Sequence, residues 1–330
     1  MASSEDTEPF GNFLQKTMNK YWFLAALIVS LSAGCGSREQ QNNKRTSKPT
    51  SGYIKIAADE ALKPIVEAEV NAFTGLYPSA KIDVFYVSEQ TAIDTLLKDS
   101  VTAIFISRNL LADEKQILTS RSSKAKEEKI AIGGIALIVN PSNPDTLLTL
   151  DHLKDILSGK VNNWNQLSKK RAALPLKVVF DQPKSGMIKF LNDSLMPLTK
   201  LPPNCFAVDS NAAVVDYVSR NPEAIGLIDI SWISDEDDET VNVFRNSIKV
   251  VGLATQEGED FSKPFQAYIS MGRYPLKRNV FMTVTESYTG LATGFSRFVA
   301  SDKGQRIILK SGLVPATMPV RIVETNRGGF

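Results

Sequence analysis

Short apolar runs alternate along the chain with stretches in which apolar residues recur every three or four positions. YIKIAA (53–58), KIDVFYV (81–87) and VTAIFIS (101–107) predict strands. Between them, EALKPIVEAEVNAF (60–73) places Leu62, Ile65, Val66, Val70 and Phe73 on one helical face. TAIDTLLKD does the same with Ile93, Leu96 and Leu97, and ADEKQILTS predicts a further helix. KIAIGGIALIVN (129–140) is a long strand run broken by Gly133-Gly134. A second series follows near Pro141. TLDHLKDILSG predicts a helix ending at Gly159, LKVVF a strand, SNAAVVDYVSRN a helix capped by Ser210 or Asn211, and EAIGLIDIS a strand. FQAYISM and RNVFMTV read as strands, ESYTGLATGFSRFVAS and DKGQRIILKSG as helices. Such alternation predicts an α/β protein whose parallel sheets are covered by helices.

One junction has chemistry in it. In VVFDQPKSGMIKF (178–190) a buried strand ends, a polar turn follows, and Ser185-Gly186 opens a helix with apolar positions Met187, Ile188, Phe190, Leu191 and Leu195. The free N–H groups and the dipole of a helix start favour an anion there. The turn itself carries an anion, Asp181.

The N-terminal 51 residues have a different character. MNKYWFLAALIVSLSAGC starts at Met18 with a basic front, an apolar run from Tyr21 to Leu31, small residues and Cys35. The run is short for a spanning helix. It resembles a bacterial lipoprotein signal peptide (18–35), in which the cysteine is lipidated, although Ser32 stands where leucine is usual. An ordinary secretory signal is the alternative. Residues 1–17, acidic and polar, are expected to reflect a misplaced start, and 36–51 (GSREQQNNKRTSKPTS) a flexible tether.

Composition narrows the chemistry. The 330-residue chain has a net charge of +2, which gives no reason to expect a nucleic-acid partner. It holds one histidine and two cysteines, with no zinc spacing, so neither a metal nor a cofactor is expected. His152 lies in an amphipathic helix, where packing is the expected role rather than catalysis. Once Cys35 is lipidated, Cys205 has no disulfide partner. DEDDE (235–239) reads as a solvated loop, and Trp164 and Trp232 as packing residues.

Four blocks occur in a telling order: AIFISRNL, IALIVNPSNPDTLLTLDHLKDILSGKVNNWNQL, YPLKRNV and GFSRFVASDKGQRIILKSGLVPA. Together they resemble the phosphate-type periplasmic solute-binding proteins of ABC importers, over about residues 52–325. The resemblance implies a two-lobed periplasmic-binding-protein fold, each lobe a central sheet flanked by helices, with the ligand between lobes. Lobe one is expected to be 52–139 plus 277–325 and lobe two 140–276, with crossings near Asn140 and Arg273–Leu276.

By the same resemblance, ligand contacts fall on four loops after strands. Asp59 and Glu60 occupy the first, Ser88 the second, Ser107 and Arg108 the third, and Asp181, Ser185 and Gly186 the fourth. The family's arginine and threonine positions hold Asp181 and Met187 instead. Asp59 and Asp181 are each either ligand contacts or caps, and Ser88 and Ser185 either ligand contacts or helix caps. Arg108 is either the ligand's positive partner or an interlobe ion-pair residue. Glu89 and Lys184 read as solvated. The implied protein is an extracytoplasmic, membrane-anchored lipoprotein, not an enzyme. It would deliver inorganic phosphate or a related small oxyanion to ABC permease subunits. A sensor or scaffold with another ligand is the alternative, and a phosphoester hydrolase a remote one.

Overall fold

The computed structural model describes residues 47–167, 173–197, 201–235 and 237–320. The expected leader, signal segment and Cys35 lie outside the described residues. The end of the expected tether does not hang free. Lys48 and Ser51 exchange backbone hydrogen bonds, and the Pro49 carbonyl packs so closely on Gly294 that a Cβ there would strike it.

The first series forms β1 (Gly52–Asp59), α1 (Lys63–Leu76), β2 (Ala80–Val87), α2 (Glu89–Leu97), β3 (Ala103–Ile106) and α3 (Ala112–Ser120). A single 3-10 turn, Glu60–Leu62, separates β1 from α1. All five apolar positions foreseen on the helical face from Leu62 to Phe73 are buried. The long β4 (Lys126–Val139) follows. The second series comprises β5 (Leu147–Thr149), α4 (Leu150–Leu157), β6 (Lys177–Phe180), α5 (Gly186–Ser194), β7 (Cys205–Ala207), α6 (Asn211–Arg220) and β8 (Ala224–Asp229). Next come α7 (Glu239–Ser247), β9 (Lys249–Val250), β10 (Gly252–Ala254) and α8 (Gln266–Ser270). The chain finishes with β11 (Lys277–Val284), α9 (Leu291–Ala300), α10 (Asp302–Lys310) and β12 (Val314–Pro315).

The main sheet runs β2-β1-β3-β11-β4-β8-β6-β7. The expected parallel pairing holds for part of the sheet only. β1 pairs in parallel with β2 and β3, and β6 with β7 and β8. In contrast, β11 is antiparallel to β3 and β4, and β4 is antiparallel to β8. The strands that carry the chain between the halves enter each sheet against the local direction. β4 belongs to both halves: Lys126–Gly134 pair with β11, and Ile135–Val139 with β8. The change of partner therefore falls at Gly134/Ile135. A Cβ on Gly134 would meet Ile269 Cδ1 at 3.3 Å and the Leu276 carbonyl and Tyr274 at 3.5 Å.

Alternation sorts the strand residues between layers. Ala136, Ile138 and Ile228 join one core cluster, while Ile135, Leu137, Val139 and Leu227 join another that includes Trp164 and Tyr274. Ile54, Ile56 and Ala58 face the first cluster, and Ala57 faces a third with Ile93, Leu96 and Ile104. FQAYISM, expected as a strand, forms the short helix α8.

Candidate functional site

Ligands of open α/β sheets sit beyond the carboxyl ends of strands. Here the ends of β1, β3, β6 and β8 converge, and each contributes a polar residue: Asp59, Ser107, Asp181 and Asp229. Asp59, Asp181 and Asp229 are fully buried. Glu60 and Glu89 are also buried, the latter only 2% exposed. This corrects the expectation that Glu89 is solvated.

The two halves touch through these groups. The Gly186 N–H, at the start of α5, donates to Asp59 Oδ2 at 3.0 Å. Glu60 Oε2 accepts from both the backbone N–H (3.0 Å) and side-chain amide (2.8 Å) of Asn211, the first residue of α6. The indole of Trp232 donates to the Ala61 carbonyl at 3.0 Å. The Ser107 N–H and hydroxyl both donate to Glu89 Oε2, at 2.7 and 2.5 Å. The donors at the strand ends are thus held by the chain's own carboxylates.

The central cation is Arg278 on β11. It is fully buried and donates from Nη2 to Asp229 Oδ2 at 2.8 Å. Its Nε and Nη1 have no hydrogen-bond partner among the described residues. Burial opposes its charge, but Asp229, Asp59 and Glu89 outweigh burial and raise its pKa. Sequence reasoning passed over this residue although YPLKRNV contains it. The available signal was an arginine on the inward face of an alternating strand, in phase with buried Val280 and Met282.

Arg108, expected either as the ligand's positive partner or as an interlobe ion-pair residue, is paired with acids of its own half. Its guanidinium makes a two-pronged pair with Glu114, at 2.7 and 2.8 Å, and its Nε lies 3.5 Å from Glu89 Oε1. Burial raises the Glu114 pKa, but Arg108 and the Leu111 N–H more than reverse that and hold it below its ordinary value.

The acids feel one another. Burial, then the charges of Asp181 and Glu89, push the Asp59 carboxyl well above the usual range, against Arg278 and the Gly186 N–H. Burial pushes Asp181 up to about 7, with the Ser185 hydroxyl and Arg278 opposing and Glu60 adding. Asp181 Oδ2 accepts from Asn211 at 3.3 Å, while Oδ1 has no well-formed hydrogen bond among the described residues. Burial raises Glu60 too, against its bonds from Asn211.

The structure therefore brings Asp59, Glu60, Ser107, Asp181, Ser185 and Gly186 together. Ser185 caps α5 through the Ile188 N–H, and Ser88 caps α2 through the Thr91 N–H. Asp59 also accepts from the Ala61 N–H, as the cap of the 3-10 turn. His152 Nδ1 accepts from the Thr149 N–H at the head of α4. A cavity of about 670 Å³ lined by Arg245, Ile248, Lys249 and Phe265 contains none of the strand-end residues.

Known proteins share this architecture. The Bacillus subtilis phosphate-binding protein PstS is 24% identical over 305 residues, covering 89% of this chain and 92% of its own. The Staphylococcus aureus protein of the same name is 25% identical over 293 residues, covering 87% and 86%. Among solved structures, a Clostridium perfringens substrate-binding protein with bound phosphate matches with a TM-score of 0.69 and 25% identity, over 80% of this chain and all of its own. An ABC-type phosphate transport receptor from Vibrio cholerae matches with a TM-score of 0.60 and 25% identity, over 81% of this chain. The model of the PBP superfamily domain matches residues 43–303, and with that span the chain belongs to the PBP superfamily.

Proposed function

We propose that this chain is the extracytoplasmic capture component of an ABC importer and takes a small oxyanion, phosphate first among them. The observation that carries the reading is Arg278: a buried guanidinium whose Nε and Nη1 have no partner among the described residues, at the meeting of four strand ends and the N-terminus of α5. A guanidinium with two free nitrogens suits a tetrahedral oxyanion, and charge-assisted bonds of this kind are the strong ones. The names of the Bacillus subtilis and Staphylococcus aureus relatives, and the phosphate in the Clostridium perfringens structure, support the same ligand.

The buried acids restrict which oxyanion can enter. A carboxylate about 4 Å from an anion costs about 4 kcal/mol at an effective dielectric near 20. A protonated phosphate oxygen turns that cost into a hydrogen bond, and sulfate has no proton to offer. We assign this acceptor role to Asp181, whose Oδ1 makes no well-formed hydrogen bond among the described residues. Binding rather than catalysis is supported by the backbone-bonded His152 and by the Cys205 thiol, which burial raises to about 12. The acidic surroundings favour one second reading, the same fold holding a ligand other than phosphate.

Asp181→Asn tests the assignment. Titrations of the variant with phosphate and sulfate should show the gap between the two ligands narrowing. An unchanged gap would take the acceptor role from Asp181. A membrane anchor at Cys35 completes the proposal, motivated by the apolar run ending in SAGC. Cys35→Ala should release the protein from the membrane fraction, and retention there would remove the anchor.

A further inference from the structure

Ser107 and Glu89 make contacts that look like those of a ligand. Two donors of one residue, the Ser107 N–H and hydroxyl, converge on a single oxygen, Glu89 Oε2. The same oxygen would lie 2.5 Å from a Cβ built on Gly186, so it reaches the start of α5 across the cleft. A buried carboxylate oxygen thus stands where a strand-end loop of one half and a helix N-terminus of the other face each other.

We propose that the Glu89 carboxylate is a built-in competitor of the oxyanion: it occupies the donors the ligand would use, and an entering ligand displaces it. This inference rests on the oxyanion reading above. The charges around Glu89 make the competition unavoidable. From β1 and its following turn come Asp59 and Glu60, from the loop after β6 Asp181, and from β8 Asp229. Facing them are Arg278 on β11 and Arg108 after β3, the latter already paired with Glu114 of α3. Lys189 and Asp193 of α5 act on that outer pair and bond each other. Acids outnumber cations around the donors, so an oxyanion and the Glu89 carboxylate cannot share them. Arg108 Nε offers the displaced carboxylate a destination. It is buried, makes no hydrogen bond among the described residues, and is 3.5 Å from Glu89 Oε1.

The experiment is a phosphate titration of the full chain and two variants. Glu89→Gln removes the charge and keeps the shape. Glu89→Asp keeps a charge at the head of α2, which favours folding, but withdraws it from Ser107 by one methylene. Each folded variant should bind phosphate about tenfold more tightly than the unaltered chain. The opposite sign, weaker binding, would make Glu89 a ligand contact and overturn the proposal. Unchanged affinity with a lowered melting temperature would make it a structural residue, with the same consequence. If neither the chain nor its variants bind phosphate, the oxyanion reading falls and this inference with it. If the chain binds phosphate and the variants bind no better, only this inference fails.

Discussion

Glu69 sits on the apolar face of α1 between Val66 and Val70, fully buried, and neither carboxylate oxygen has a partner among the described residues. Burial pushes its pKa up to about 9 from an ordinary value of 4.5. The folded chain keeps a proton that the unfolded chain releases above its ordinary pKa. Stability is therefore present in full below about pH 4.5 and drains away as pH rises through 9, by at most about 1.4 kcal/mol per pH unit. Glu69→Leu should be more stable than the unaltered chain at pH 8, with a flatter profile. Urea midpoints at pH 5 and pH 8 would show this, and an unchanged slope would contradict it. Arg278 is the opposite case, a buried charge with a partner. Removing it as Arg278→Ala strands Asp229 and should cost about 3–5 kcal/mol, read from the same unfolding curves. Both residues show where single positions become hard to read in a sequence. A charged residue on an apolar face is visible as an exception, but whether it has a partner depends on a strand far away in the chain. Glu89 gives no such signal, because a glutamate after a serine cap is also how a solvated helix starts.

At the level of elements, the N-terminus of α5 carries the meeting of the two halves. Gly186 has room for no side chain: a Cβ would lie 2.5 Å from Glu89 Oε2 and Ser107 Oγ, and 2.6 Å from Asp59 Oδ2. Gly186→Ala should hold the halves apart while leaving each folded, since its own helix tolerates alanine. Small-angle scattering should then give a larger radius of gyration than for the unaltered chain. Equal radii would mean the contact does not set closure. The strand-turn-helix form of this segment was legible from Val178–Phe180 and the apolar spacing after Ser185. The acids that bind it were not, because they arrive from β1 and α2. FQAYISM shows the reverse failure. Its alternation of apolar residues fits a strand, yet only Ile269 is buried while Phe265 and Met271 stay exposed. Pro264 before it and Gly272 at φ +72° after it punctuate a single short helix instead. Antiparallel β11 was misread for a related reason: local pattern fixes a strand but not the direction in which a distant partner runs.

For the whole molecule, the account is of two lobes that share β4 and close on an oxyanion. We place the hinge where β4 changes partners, at Gly134/Ile135, and where the chain returns into β11 at Lys277. In the described state the cleft is shut by contacts between Asp59, Glu60 and Ala61 on one side and Gly186, Asn211 and Trp232 on the other. The alternation of elements and the four ordered motif blocks made the two-lobed fold readable from the chain, but with the crossing expected near Asn140 rather than inside β4. The strand phase of Arg278 was readable, but the partners of Arg108 and Arg278 were not, because Glu114 and Asp229 come from other elements. The most direct measurement is equilibrium binding of phosphate to the full chain and to Arg278→Lys. The account predicts saturable binding of one phosphate per chain. Lysine cannot reproduce the two free guanidinium nitrogens, so the variant should bind about ten- to a hundredfold more weakly. An unaltered chain that binds no phosphate at millimolar concentration would contradict the account, as would a variant that binds as tightly as the unaltered chain.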